Sequence, residues 1–458
     1  MFRPRYHITA KGYLQNSMLT FYKEEYHVFF LTPQNYSNNE KSTYNSWGHM
    51  TSKNLIHWKE EELAIKPDRN YDKYGCWNGS LIVKDEIPYL FYTGINPETQ
   101  CLAIGDKNLK KFNKYEQNPI IKNRPDELNI TGFRDPFVWL DKDNKWKMIL
   151  GCGIHGSFGT HYAGGGVLIY ESDNLYAWQY KGIMFKRSIA EGGFYFETPN
   201  FSNLGALDIL MVSPNAPVLF WLGNFKDNLF DSKTSAKRLD FGDCFYAASL
   251  FNDNRNNRTL LSGWVSEAIK LNKQKNNGCI ALPKVVSLDK NNVLNIFPAP
   301  ELINLRKDII INERKIINSK KNNFNLFQSN TFEIRLHLLK NDSDKIIFNF
   351  CKSEKYNEYT SITINKKNSN FELNRSKSSL KNVSDLSIIE TSILHNDLIV
   401  HMYVDVSVIE IFLNYKKIIT SRIYPNSNSK FLEIYSEGGN AEVDVKLWSI
   451  KDIGIVSV

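Results

Sequence analysis

Short runs rich in aromatic and β-branched residues recur along this chain, separated by turns of Asn, Asp and Gly. Tyr26-His27-Val28-Phe29-Phe30, Tyr89-Leu90-Phe91-Tyr92, Val167-Leu168-Ile169-Tyr170 and Leu207-Asp208-Ile209-Leu210-Met211-Val212 are examples. Such side chains fit a pleated, half-buried surface, and no long helical periodicity competes, so an all-β fold is expected. A short internal echo adds to this pattern. Ser52-Lys53-Asn54-Leu55-Ile56-His57-Trp58 matches Ser172-Asp173-Asn174-Leu175-Tyr176-Ala177-Trp178, with a weaker copy at Asp106-Lys107-Asn108-Leu109-Lys110-Lys111-Phe112. Each copy sets a Leu and an aromatic ring at one spacing, which suits the four-stranded blades of a propeller. Chance similarity in an Asn-rich chain is the competing reading.

The texture changes after Pro298-Ala299-Pro300-Glu301-Leu302. Residues 307–330, rich in Lys, Asn and Ile, read as a linker or the first segment of a second unit. Alternating runs at Phe332-Glu333-Ile334-Arg335-Leu336-His337-Leu338 and from Ile399 to Val406 predict a β-sandwich over 331–458. The expected division is therefore 1–306, 307–330 and 331–458, and 458 residues suffice for two domains.

Composition narrows the function classes. Hydrophobic residues make up 42% of the chain, with 28 Phe, 23 Tyr and 9 Trp, which argues against wholesale disorder. The formal charge of +8 comes from Lys scattered through an Asn-rich background, without a dense basic run, so nucleic acid is not an expected partner. Six Cys lie apart with no CxxC pair and read as small buried hydrophobes. The nine His include no HExxH arrangement, and neither a metal nor another cofactor is expected. No apolar stretch is long enough to span a bilayer, and Met1-Phe2-Arg3-Pro4-Arg5-Tyr6-His7 lacks the apolar core of a secretory signal. A cytoplasmic protein without a membrane partner is the simplest expectation; a secreted protein whose signal has been removed is the alternative.

Candidate chemistry lies in Tyr13-Leu14-Gln15-Asn16-Ser17-Met18-Leu19, Phe133-Arg134-Asp135-Pro136 and Phe196-Glu197-Thr198-Pro199. Trp47-Gly48-His49, followed by Leu55 and Trp58, and Gly75-Cys76-Trp77-Asn78-Gly79-Ser80 stand between the first two. Gly278-Cys279-Ile280-Ala281-Leu282-Pro283-Lys284, Val404-Asp405-Val406-Ser407-Val408-Ile409-Glu410-Ile411-Phe412 and Thr420-Ser421-Arg422-Ile423-Tyr424-Pro425 follow. In this order the segments resemble glycoside hydrolase family 32, the invertases, levanases and fructan-processing enzymes. The resemblance covers nearly the whole chain and implies a five-bladed β-propeller followed by a β-sandwich. It also implies a sugar or oligosaccharide partner and a monomer or homodimer.

The family's first motif normally reads Trp-Leu/Met-Asn-Asp-Pro-Asn-Gly, with its Asp as covalent nucleophile; the matching residue here is Asn16. Retaining hydrolysis needs two carboxyl groups about 5–5.5 Å apart, one to attack and one to protonate the leaving oxygen. The resemblance gives the acid/base role to Glu197, and to Asp135 the gripping of furanose hydroxyls and stabilisation of the transition state. It places Gln15, Trp47, Trp77, Asn78 and Arg134 as substrate-binding residues. Without it, salt-bridge or turn roles suit the carboxylates, core packing the Trp residues, and a tight turn the Asn78-Gly79 pair. Asn16 is neutral, attacks poorly and withholds a negative charge from the transition state. Ser17-Met18-Leu19 in place of Pro-Asn-Gly, and Leu31-Thr32-Pro33-Gln34 in place of an amide-bearing turn, change the same neighbourhood.

Three readings follow. The chain acts on a β-fructofuranoside or related furanoside, cleaving or transferring its glycosyl group by a non-standard route. Alternatively it is a catalytically inactive sugar-binding homologue, or a conventional β-fructofuranosidase in which another residue supplies the nucleophile.

Overall fold

The computed structural model describes residues 2–453 apart from 11–12, 34–44, 96, 157–160, 216, 268–277, 321–327, 356, 379–387 and 393–396. Gln34 thus lies outside the described residues. The fold is all-β: among the described residues the only α-helix is the single turn Ile189–Gly192.

Between Gln15 and Pro298 the described strands form five successive antiparallel sheets of four or five strands, each laid down essentially in chain order. Their first strands are Gln15–Tyr22, Cys76–Lys84, Ile130–Leu140, Glu197–Asn203 and Phe245–Asp253. Each first strand packs against the next, and the fifth returns to the first, so the five stand in a ring. Aromatic side chains fill the space between sheets. Phe29, Trp47 and Tyr92 share one cluster, Phe91, Phe133 and Tyr170 another, and Phe185, Phe196 and Trp221 a third. Each fully buried ring contributes about 1.5–3 kcal/mol by leaving water.

The internal echo proves to be a shared turn. Asn54 Oδ1 accepts from the backbone N–H of Ile56 and His57, as Asn174 Oδ1 does from Tyr176 and Ala177. The Trp58 and Trp178 indoles each donate to the carbonyl of the Leu three residues earlier, at 3.0 Å. Leu55, Leu109 and Leu175 all adopt left-handed φ, at 62°, 55° and 74°. In each case the turn follows the third strand of its sheet.

The strand Arg306–Ile317 is one edge of a six-stranded sheet that also contains Ala441–Ile450, Thr331–Asn341, Leu398–Asp405, Val408–Leu413 and Lys417–Arg422. A five-stranded sheet centred on Thr360–Asn365 accompanies it. Ile334, Leu336, Phe348, Phe350, Ile362, Met402 and Val404 form their common core.

Buried charges join the two units. The Asp405 carboxylate accepts from the backbone N–H groups of Arg5, Tyr6 and His7 at 2.7–2.9 Å. The His7 ring bridges Asp405 at 2.8 Å and Glu410 at 3.1 Å, and Glu410 pairs with Lys284 at 2.5 Å. Burial opposes charge on Glu410, yet Lys284 and His7 hold its carboxyl down at about 2. His7 is raised despite burial, because both carboxylates hydrogen-bond to it. Two of the sequence segments, Gly278–Lys284 and Val404–Phe412, therefore meet as interdomain glue.

Removing one partner of a buried pair strands the other charge, at a cost of about 3–5 kcal/mol. Glu410→Ala is expected to destabilise by about that much in urea unfolding, since the Lys284 side chain is fully buried. A loss below about 1 kcal/mol would mean that water reaches the pair.

Candidate active site

Each first strand carries a β-bulge at the same point. Gln15 faces Leu31 and Met18 faces Phe29, so three steps on one strand oppose two on its neighbour. The same offset separates Trp77 from Ser80, Arg134 from Phe137, Glu197 from Asn200 and Tyr246 from Ser249. Bulges re-aim side chains at sheet edges and active sites. Within four of the five, one residue is left-handed: Asn16 at φ 56°, Asp135 at 66°, Thr198 at 45° and Ala247 at 48°. Asn and Asp tolerate this region; β-branched Thr198 holds it against about 1–3 kcal/mol of strain.

The register places Gln15, Trp77, Arg134, Glu197 and Tyr246 at equivalent positions, and Glu197 accepts hydrogen bonds from both Arg134 and Tyr246. Arg134 Nη2 donates to Glu197 Oε1 at 2.5 Å, and Tyr246 Oη donates to Glu197 Oε2. Arg134 Nη1 donates to Glu98 Oε1 at 2.8 Å, while Glu98 Oε2 accepts from the Phe133 N–H at 2.6 Å. The guanidinium lies 4.2 Å from the centre of the Tyr195 ring and 5.4 Å from that of Trp77. Burial works against its charge, but Tyr195, Asp135, Glu98 and Glu197 outweigh burial and raise its pKa. Gly132, at φ 66°, makes room for this stack: a Cβ there would stand 1.9 Å from Tyr195 Oη.

Asp135 is 6% exposed. Its backbone N–H donates to Thr93 Oγ1 at 3.0 Å, and its Oδ2 accepts from the Thr198 N–H at 2.9 Å. Burial pushes its carboxyl up to about 7; Arg134 pulls the other way and Glu197 adds to the rise. Asn16 is 9% exposed, and its Oδ1 has no hydrogen-bond partner among the described residues. A buried unsatisfied carbonyl costs about 1–3 kcal/mol until a ligand or water satisfies it. A cavity of about 880 Å³ runs below these residues, from Met18, Ser80, Phe137 and Ser249 to the turns at Asp141, Asn228 and Arg255. Asn16, Asp135 and Glu197 do not line it, so this void and the chemistry occupy different parts of the ring.

Of the residues singled out from sequence, Arg134, Asp135, Glu197 and Trp77 come together. Gln15 and Asn78 are part-exposed at the equivalent bulges, with the Gln15 carbonyl accepting from Tyr13 Oη at 2.6 Å. Trp47 departs from expectation. It is 1% exposed, packed near Phe29, and its indole donates to the Trp77 carbonyl at 3.1 Å. It supports the backbone of Trp77 and presents no face to a ligand. Tyr246, Glu98 and Tyr195 were not legible as site residues; lining up Tyr246-Ala247-Ala248-Ser249 with the other bulged segments is the one signal that reveals Tyr246. All six Cys are buried and free, and no metal-ligating cluster occurs among the described residues. No helix of the described residues is long and apolar enough to cross a membrane.

A ring of sheets with carboxylates gathered at one set of bulges, joined to a second all-β unit, is the frame of a glycoside hydrolase. The chain belongs to glycosyl hydrolase family 32: the family's N-terminal domain model matches residues 7–298 and its C-terminal model residues 301–449. The sucrose-6-phosphate hydrolase of Bacillus subtilis is 27% identical over 98% of this chain and 94% of its own length. The levanase of the same organism is 26% identical over 96% and 69%. Among solved structures, fructan 1-exohydrolase IIa from Cichorium intybus superposes with a TM-score of 0.87 at 20% identity, covering 100% of this chain and 99% of that one. The sucrose-6-phosphate hydrolase from Lactobacillus gasseri gives 0.82 at 23% identity, covering 99% and 94%. These structural likenesses establish the fold.

A carboxyl group raised on folding makes the folded state bind more protons, so it lowers stability as pH climbs from the ordinary Asp value towards 7. Asp135→Asn is therefore expected to raise the melting temperature, by little near pH 4 and by most above pH 7. Melting scans of both proteins from pH 4 to pH 8 check this; a gain that does not grow with pH contradicts the ionisation argued for Asp135.

Proposed function

We propose that this chain acts on β-fructofuranosides from the mouth of a five-bladed propeller, by a route that forms no glycosyl ester with the protein. The observation that carries the reading is the amide at position 16, on a bulge equivalent to the one that carries Asp135, together with the Arg134–Glu197 clamp. The relatives named above support the substrate class, since their names specify sucrose 6-phosphate and levan or fructan.

In this reading Glu197, held by Arg134 and Tyr246, delivers a proton to the leaving oxygen as the bond from the furanose anomeric carbon breaks. Asp135 grips sugar hydroxyls and, when ionised, stabilises the developing positive charge. Water or a sugar hydroxyl then bonds to the anomeric carbon, and the Glu197 carboxylate takes the proton it releases. Asn16 Oδ1 accepts a hydrogen bond from the bound sugar. Leaving groups that depart readily suit this site best, because no nucleophile assists them.

Loss of a general acid typically costs about 10²–10⁴-fold in rate. Glu197→Gln is expected to lower kcat/KM in that range on unactivated fructosides, and less on donors with good leaving groups. Asn16→Asp is expected to raise turnover on unactivated fructosides. Kinetics on a panel of fructosides decide: sugar binding without turnover, unaltered by Glu197→Gln, supports instead a sugar-binding homologue, the reading that the missing nucleophile favours.

A further inference from the structure

We propose that Tyr162 and Phe194 form a platform for the leaving group's sugar ring at the mouth of the site, an inference that rests on the fructofuranoside reading above. Strand direction brings them there. The third sheet begins at the site with Ile130–Leu140; the antiparallel strand Trp146–His155 therefore ends there, and Tyr162–Ser172 starts there. The connection that leaves this sheet at Ser188 crosses the same end and delivers Phe194, Tyr195 and Glu197 in turn.

Packing fixes the arrangement. The His155 and Tyr162 rings lie 5.0 Å apart, and Tyr162 and Phe194 5.1 Å apart. A Cβ at Gly153 would stand 2.7 Å from the Tyr162 ring and 2.9 Å from the Phe194 carbonyl oxygen. Gly151, two residues back on that strand, is the partner of Arg134. The platform thus sits roughly 7 Å further along the sheet than the Arg134–Glu197 clamp.

Exposure completes the case. Tyr162 is 38% and Phe194 39% exposed although they pack on each other, so each keeps a face open. Contiguous exposed rings beside a polar site are where ligands dock. Their faces are uncharged and suit the C–H face of a neutral hexose or a further fructose unit, not a phosphate. Tyr195 links platform to clamp, because it follows Phe194 in the chain and its ring underlies the Arg134 guanidinium.

The test compares sucrose with methyl β-D-fructofuranoside, whose leaving group has no ring, by steady-state kinetics and by calorimetric affinity. In the Tyr162→Ala/Phe194→Ala double variant, KM and Kd for sucrose are expected to rise about tenfold, the scale of two aromatic contacts, with kcat little changed. Values for the methyl fructoside are expected to stay put. Phe194→Leu, which keeps bulk without a ring and so guards against misfolding, is expected to show part of the sucrose effect alone. Equal losses on both ligands, or none on sucrose, would overturn the platform, as would a wild-type preference for sucrose 6-phosphate that these variants weaken more than that for sucrose. Should the wild type bind sucrose in a Tyr162- and Phe194-dependent way without turning it over, the platform stands and the enzymatic reading fails.

Discussion

The bulge near the start of every inner strand is the constraint on which the site depends. A regular strand alternates its side chains between faces, which would send neighbouring residues to opposite sides. One extra residue turns the chain, so that Arg134 reaches Glu197 while Asp135 meets the Thr198 N–H. Four of the bulges use a left-handed residue, and the choice at each differs in chemistry: amide, carboxyl, hydroxyl and methyl. The fold thus offers equivalent positions around one mouth, and the sequence decides what each contributes.

Arg134 organises those contributions. It stands between two carboxylates and two aromatic rings, a setting that a guanidinium fills through its planar fork and stacking faces and an ammonium does not. Asp135 pulls in another direction: buried, with a carboxyl near 7, it is held partly ionised at neutral pH. Asn16 holds the bulge position equivalent to that of Asp135, and its buried carbonyl is left without a partner among the described residues. In the proposed route this amide offers the sugar a hydrogen-bond acceptor and no nucleophile.

How much of this could be read from sequence follows the range of the interactions. The all-β class and the Asn-Leu-Trp echo were legible, because strand propensity and an Asn-capped turn act over a few residues. Arg134, Asp135 and Glu197 stood out through the order of family motifs; their spacing alone says nothing of a shared mouth. Trp47 was misjudged because an aromatic residue in a β-rich chain carries no label for core or ligand, and its burial is set by the neighbouring sheet. Tyr246 and Glu98 escaped notice since their partners, Glu197 and Arg134, lie 49 and 36 residues away. Lys284 and Glu410, which read as parts of motifs, instead bind the two units together.

In the proposed route no side chain in this mouth forms a covalent bond with the sugar. Rapid-quench intact-mass analysis of the protein turning over an activated β-fructofuranosyl donor tests it most directly. Unmodified protein at every time point, with donor consumed in a Glu197-dependent manner, is the result expected. A fructosyl adduct that forms and decays at the rate of turnover would contradict it, wherever on the chain it mapped.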